Sequence, residues 1–153
     1  MPTARRSRTI AAPIDQIWEL VGDPHHLPRW WPRVTRVEDV EDDAFTEVMR
    51  TSKGKTVRAD FSVVHRDEGE HALTWAQRVE GTPFARLLSA AETRLHLTST
   101  RAGHDTDTIA TEVTLELRQT LTGFFPRFGG FMVRRAAGAT LEQALDGLER
   151  VSG

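Results

Sequence analysis

The sequence predicts an α+β fold, one antiparallel sheet covered by a long C-terminal helix. Three observations predict it. Between Val34 and Gln119, apolar residues recur at every second position in run after run, with turn residues between the runs. On either side the period becomes helical, with Ile14, Ile17, Trp18 and Val21 near the start and Phe131, Leu141, Leu145 and Leu148 near the end. Each strand carries one apolar and one polar face, so the sheet needs a single cover, and only the last helix is long enough to supply it.

The elements follow in order. Arg5–Ile10 reads as a short first strand. Pro13 suits a helix start, and Gly22 with Pro24 ends that helix. A second short helix fits Pro24–Trp31 and closes at Pro32. The runs "VTRVEDV" and "AFTEVMRTS" are strands joined at Glu41-Asp42-Asp43. In "KTVRADFSVVHRD", Val57, Ala59, Phe61 and Val63 face one way and Arg58, Asp60 and Ser62 the other. "HALTWAQRVE" alternates through Leu73, Trp75, Gln77 and Val79, and the loop "GTPFARLL" follows. Leu95 and Leu97 are in phase in the next run, residues 101–107 make a turn, and Ile109, Thr111, Val113, Leu115 and Leu117 share one face of the last strand. The final helix is expected from about Gly130 to Arg150, with ends uncertain by ~2–4 residues.

Composition bounds the function. The 153 residues fit one domain, 1–153. A formal charge of −2 gives no global pull toward nucleic acid or an anionic membrane. The chain has no cysteine, which excludes disulfides and thiolate chemistry and fits a cytoplasmic location. It has no tyrosine, so no phenol is available for acid–base work. The N-terminus lacks the apolar core of a signal peptide, and no stretch approaches the ~18 apolar residues of a membrane span. No Gly-x-Ser-x-Gly, zinc-binding helix, phosphate loop or dinucleotide glycine pattern occurs.

Three segments carry a resemblance: "RTIAAPIDQIWELVGDPHHLPRWWPRV", "LTWAQRVEGTPFARLL", and "TEVTLELRQTLTGFF" followed by "GGFMVRRAAGATLEQALDGLERV". In this order they resemble the START-like superfamily, the helix-grip fold of the birch pollen allergen type, and within it the polyketide cyclase/dehydrase and lipid-transport branch. The resemblance implies a curved antiparallel sheet of about seven strands wrapped around the last helix, two short helices after the first strand, and a cavity between sheet and helix. The residues themselves show only a sheet and a helix, which would equally fit a solid core.

Candidate site residues follow from phase and from this resemblance. Ala59, Phe61, Val63, Trp75, Leu95 and Val113 lie on the apolar faces and either line a cavity or fill a core; Phe84, in the loop, joins the set. His65, Gln77, Thr93 and Thr111 are polar residues in phase with those faces, and each needs a partner from protein, water or ligand. On the helix, Phe131, Arg134 and Gly138 lie near the inward stripe; an inward arginine would suit an anionic or carbonyl group, and the glycine serves close packing or leaves space. Trp30 and Trp31 point about 100° apart on a helix, so one is expected to pin the corner "GDPHHLPRWWP" and the other to line the cavity mouth. His25 and His26 are adjacent and face different ways, so no metal is expected; Asp23 is expected to cap the short helix. No cofactor is expected. Candidates for acid–base catalysis are weak: His65 and Arg134.

The expected function is binding of a small hydrophobic, lipid-like or polyketide-like molecule under the last helix, without nucleic acid and without integral membrane insertion. The alternatives are a polyketide cyclase, aromatase or dehydratase, favoured by a titratable cluster inside the cavity, and a protein-interaction module of toxin-like or cochaperone-like type, favoured by a filled core with an exposed apolar patch.

Overall fold

The structure, a computed structural model, describes residues 2–86, 88–101, 108–122 and 129–152. It contains strands β1 (Thr3–Ile10), β2 (Val34–Glu38), β3 (Ala44–Arg50), β4 (Thr56–Asp67), β5 (Ala72–Gln77), β6 (Leu88–Arg101) and β7 (Ile109–Leu121). The helices are α1 (Ile14–Val21), α2 (Leu27–Trp30) and α3 (Gly129–Ser152), with 3₁₀ turns at Pro24–His26 and Pro83–Arg86. Beyond Arg101, the turn predicted over 101–107 lies outside the described residues, as does the end of the "TLTGFF" segment.

The strands form one antiparallel sheet in the order β1-β7-β6-β5-β4-β3-β2. Consecutive strands from β2 to β7 are therefore neighbours, and β1 closes the far edge against β7. This is the α+β helix-grip arrangement. The two short helices come directly after β1. Pro13 is the N-cap of α1, and the Gly22 N–H closes it onto the Trp18 carbonyl. Asp23 caps the next turn by accepting the His25 N–H at 3.0 Å.

α3 lies over β1 and β7 and against α2. Its apolar stripe, Leu141, Leu145 and Leu148, is fully buried among Ile17, Leu95, Leu97, Val113 and Leu115. Burial of each such leucine stabilises the fold by about 1.5–3 kcal/mol. The stripe begins at Ala137, not at Phe131 as the sequence suggested: at the start of α3 Gly129 is buried and Gly130 lies against Pro2 and Leu121, while Phe131 and Met132 turn outward, 57% and 67% exposed. Ile109, the first residue of β7, is also exposed.

Two close approaches set the seat of α3. A Cβ at Gly147 would collide with the Trp30 carbonyl oxygen and sit 3.0 Å from its carbonyl carbon, so α2 and α3 meet backbone to backbone. Gly138 gives its space to the Arg6 guanidinium, whose central carbon would lie 3.1 Å from an added Cβ. Arg6 reaches Glu142 at 3.4 Å, and Arg8 pairs with Glu142 at 2.9 Å, with Asp146, and with Glu149 at 3.6 Å. These pairs are partly exposed and contribute little individually, but they fix the register of β1 against α3.

Candidate functional site

The cover is unequal across the sheet. On the strands near α3, inward residues such as Leu95, Leu97, Val113 and Leu115 are at most 2% exposed. On β2–β5 the inner face is less closed: Val37, Met49, Val57, Phe61, Val63 and Gln77 all keep some exposure. The inner face is thus tightly packed in the middle of β6 and β7, and on β2–β5 it mixes buried residues such as Phe45, Leu73 and Trp75 with partly open apolar ones.

Most of the residues predicted from phase fall on this inner face. Phe61 pairs with Gln77 and Val63 with Trp75 across β4–β5, and Trp75 pairs with Thr93 across β5–β6. Phe61 stacks on Phe45 at 5.4 Å between ring centroids. Ala59, Trp75, Thr93 and Leu95 are buried there. Thr111 is fully buried, and its hydroxyl donates to the Ala12 carbonyl at 2.8 Å, so its polar need is met by protein. The Gln77 amide nitrogen is buried without a hydrogen-bond partner. Phe84 belongs to a separate apolar cluster with Val79, Leu88, Ala91 and Leu121.

The two tryptophans separate. Trp30 is 2% exposed within the core, and its indole N–H has no partner. Trp31 is half-buried and lies edge-on between Trp30, at 5.4 Å, and Trp75, at 6.0 Å. It therefore carries the α2 corner onto the partly open inner face.

One expectation is corrected, for His65, and the alternatives open for Arg134 and Gly138 are narrowed. His65 leaves the inner face, because the β4–β5 register slips between Val63 and His65. The bulge reverses the alternation: His65 now pairs with Thr74, and Arg66 pairs with Leu73 and donates to the Gly22 carbonyl at 2.9 Å. Arg134 is exposed; with Phe131, Pro2, Thr120, Leu121 and Gly130 it borders an open pocket of about 410 Å³ at the start of α3. His65 and Arg134 are not brought together, so they form no acid–base pair. Gly138 is filled by Arg6 and leaves no space for a ligand.

The sequence reading missed Glu47. It sits between Phe45 and Met49 in the inward phase of β3, opposite Ala59. It is 3% exposed, and no hydrogen bond or ion pair to it is present among the described residues. Burial pushes its pKa from 4.5 up to about 8, so the carboxyl is mostly protonated at neutral pH. The signal was available: Glu47 alternates with Phe45 and Met49 just as Gln77 alternates with Trp75.

Two of the further depressions lie on the sheet, one on each face. The larger, about 580 Å³, lies on the outer face among Arg5, His65, Glu92, Arg94, His96 and Glu116. It is wide open and lined by charges of both signs, so it has little means of desolvating an apolar molecule. The other lies inside, between Leu27, Phe45, Val63, Arg66 and Trp75, and has only about 10 Å³ of room, roughly one water. At the corner, the Asp23 carboxylate accepts from the His25 ring at 2.8 Å. Burial pushes Asp23 up, but its hydrogen bonds to His25 and the nearby imidazoles outweigh this and lower its pKa. Among the described residues, no group of three or more His, Cys, Asp or Glu is placed to share a metal ion. No helix among them is long and apolar enough to cross a membrane.

Comparison with known proteins agrees with this architecture. A START superfamily protein from Mycobacterium smegmatis superposes with a TM-score of 0.73 at 17% identity, covering 98% of this chain and 96% of that one. A protein from Thermobifida fusca gives 0.72 at 21% identity, over 100% and 94%. The di-domain ARO/CYC BexL of the BE-7585A biosynthetic pathway gives 0.77 at 18% identity, over 98% of this chain and 46% of BexL. At these identities the likeness carries the fold alone. No curated protein sequence matches significantly. The sequence profile described as polyketide cyclase/dehydrase and lipid transport matches residues 1–153, and the chain belongs to that family.

Proposed function

We propose that the chain binds a small hydrophobic molecule, lipid-like or polyketide-like, against the inner face of β3–β5. The observation that carries this reading is the unequal cover of the sheet. An apolar strand face normally packs closely against its cover, as Leu95, Leu97, Val113 and Leu115 do in the middle of β6 and β7; here Met49, Val57, Phe61 and Val63 stay partly open on the side that faces into the fold. Trp31, half-buried and edge-on to the buried Trp75, offers an apolar surface at one end, and the prolines around it hold its indole in place before a ligand arrives. Family membership supports the same class of ligand.

The test is fluorescence titration with N-phenyl-1-naphthylamine, an uncharged probe that brightens in apolar surroundings. Trp31→Phe should weaken probe binding with stability kept, and Trp30→Phe should lower stability. If both variants lose stability and bind the probe as the parent does, the corner is packing only and the reading of Trp31 is wrong.

A further inference from the structure

Glu47 makes the inner face chemically specific. A carboxyl group there has no salt-bridge or hydrogen-bond partner among the described residues, and its strand neighbours on that face are Val37, Phe45, Met49, Val57, Ala59 and Phe61. A buried polar group without a partner is costly, and proteins keep one where something else satisfies it. On the same face, the buried amide nitrogen of Gln77 also lacks a partner. Gln77 is two strands from Glu47 and displaced by two residues along the sheet, about 12 Å between Cα positions at ordinary strand spacing and rise. One elongated molecule can touch both.

We propose that Glu47 is the polar contact of this site, with Gln77 as a second donor, and that together they select a hydrophobic ligand bearing an uncharged oxygen acceptor, a ketone or comparable carbonyl. This rests on the reading that the inner face of β3–β5 holds a hydrophobic molecule. Three ligand chemistries meet the site differently. A carbonyl oxygen accepts the proton of a neutral carboxyl, and neither group carries charge into the apolar interior. A carboxylate would find no cation beside Glu47: Arg66, the inward-facing charge of β4, stands at the other end of the face near Val63 and Trp75 and donates to the Gly22 carbonyl, and Arg134 is exposed at the start of α3. An ammonium group would require two ions to be stripped of water for one contact, which the interior repays poorly. The site therefore favours the neutral acceptor.

The protonation state of Glu47 fits this role. Its carboxyl is mostly neutral below about pH 8 because burial disfavours the charge. The charged groups of the neighbouring strands lie on the opposite face of the sheet: Arg36 and Arg58 with Glu38, and Asp60 with Thr46. Arg66 is the remaining charge on the inner side of those strands.

The experiment compares two probes on the parent, Glu47→Gln and Glu47→Leu. Prodan, a naphthyl ketone, shifts its emission to the red when its carbonyl accepts a hydrogen bond; N-phenyl-1-naphthylamine has no carbonyl. At pH 7 the parent and Glu47→Gln should bind prodan with red-shifted emission, and Glu47→Leu should bind it about five- to ten-fold more weakly with a blue shift, the worth of one hydrogen bond. Raising the pH through 8 should weaken prodan binding to the parent and leave Glu47→Gln unchanged. N-phenyl-1-naphthylamine should bind all three alike. If it does so while prodan affinity and emission are the same in all three, Glu47 makes no ligand contact and the inference is overturned. If neither probe binds the parent, the hydrophobic site itself is refuted, and this inference with it.

Discussion

Glu47 also makes a prediction about stability that needs no ligand. Its carboxyl ionises near pH 4.5 in the unfolded chain and near pH 8 in the native one. Between these values the unfolded state has released a proton that the native state still holds. The unfolded state therefore binds fewer protons, and stability must fall as pH rises across that window. The stability linked to this group is fully present below pH 4.5 and is lost as pH rises through 8. At about 1.4 kcal/mol per pH unit, the interval amounts to roughly 5 kcal/mol, a large share of the 5–15 kcal/mol that holds a typical domain together. Glu47→Gln keeps the shape and removes the titration. Urea unfolding at one-unit steps from pH 5 to 9 reads the effect: the parent should lose stability relative to Glu47→Gln by on the order of several kcal/mol between pH 5 and 8, and the difference should then level off. If the two curves run parallel across the window, Glu47 is not a buried neutral acid and the account of the inner face fails with it.

Two packing predictions follow from α3. Gly147→Ala should destabilise by more than a surface change does, about 1–3 kcal/mol or beyond, because its methyl group meets the Trp30 backbone, which cannot swing aside; urea unfolding with unchanged stability would show that α2 and α3 are not in that contact. Leu145→Ala should cost roughly 2–5 kcal/mol, since the side chain is fully buried in the stripe over β1 and β7; a cost near zero would mean that the stripe faces solvent.

The fold was legible in the sequence because period alone separates its parts. Leu141, Leu145 and Leu148 are spaced for one helical face, and all three are fully buried. Val113 and Leu115 alternate, and both are buried too. Where the reading failed, the cause was a contact or an irregularity that no period carries. His65 was assigned inward by counting in twos from Val63, and a single-residue bulge in β4 undid the count. Phe131 sits in phase with the α3 stripe, but at the start of α3 it is Gly129 and Gly130 that are set against the rest of the fold, and Phe131 turns outward. Arg6 and Arg8 reach α3 because Glu142, Asp146 and Glu149 meet them from a distant part of the chain. The omission of Glu47 is of another kind. Its alternation with Phe45 and Met49 is plain, but a charged residue in a strand reads by default as solvent-facing, and only its burial shows otherwise.

Binding of an apolar molecule to the inner face of β3–β5 can be located atom by atom. The most direct measurement is intermolecular nuclear Overhauser contacts between N-phenyl-1-naphthylamine and protein methyl groups. Val63 and Val64 are adjacent in sequence, yet Val63 packs against the core and Val64 is 57% exposed beside the outer depression. Contacts are expected from the probe to the methyl groups of Met49, Ala59 and Val63. Contacts to Val64, Thr74 and Thr114 instead would place the ligand on the outer face and contradict binding to the inner one.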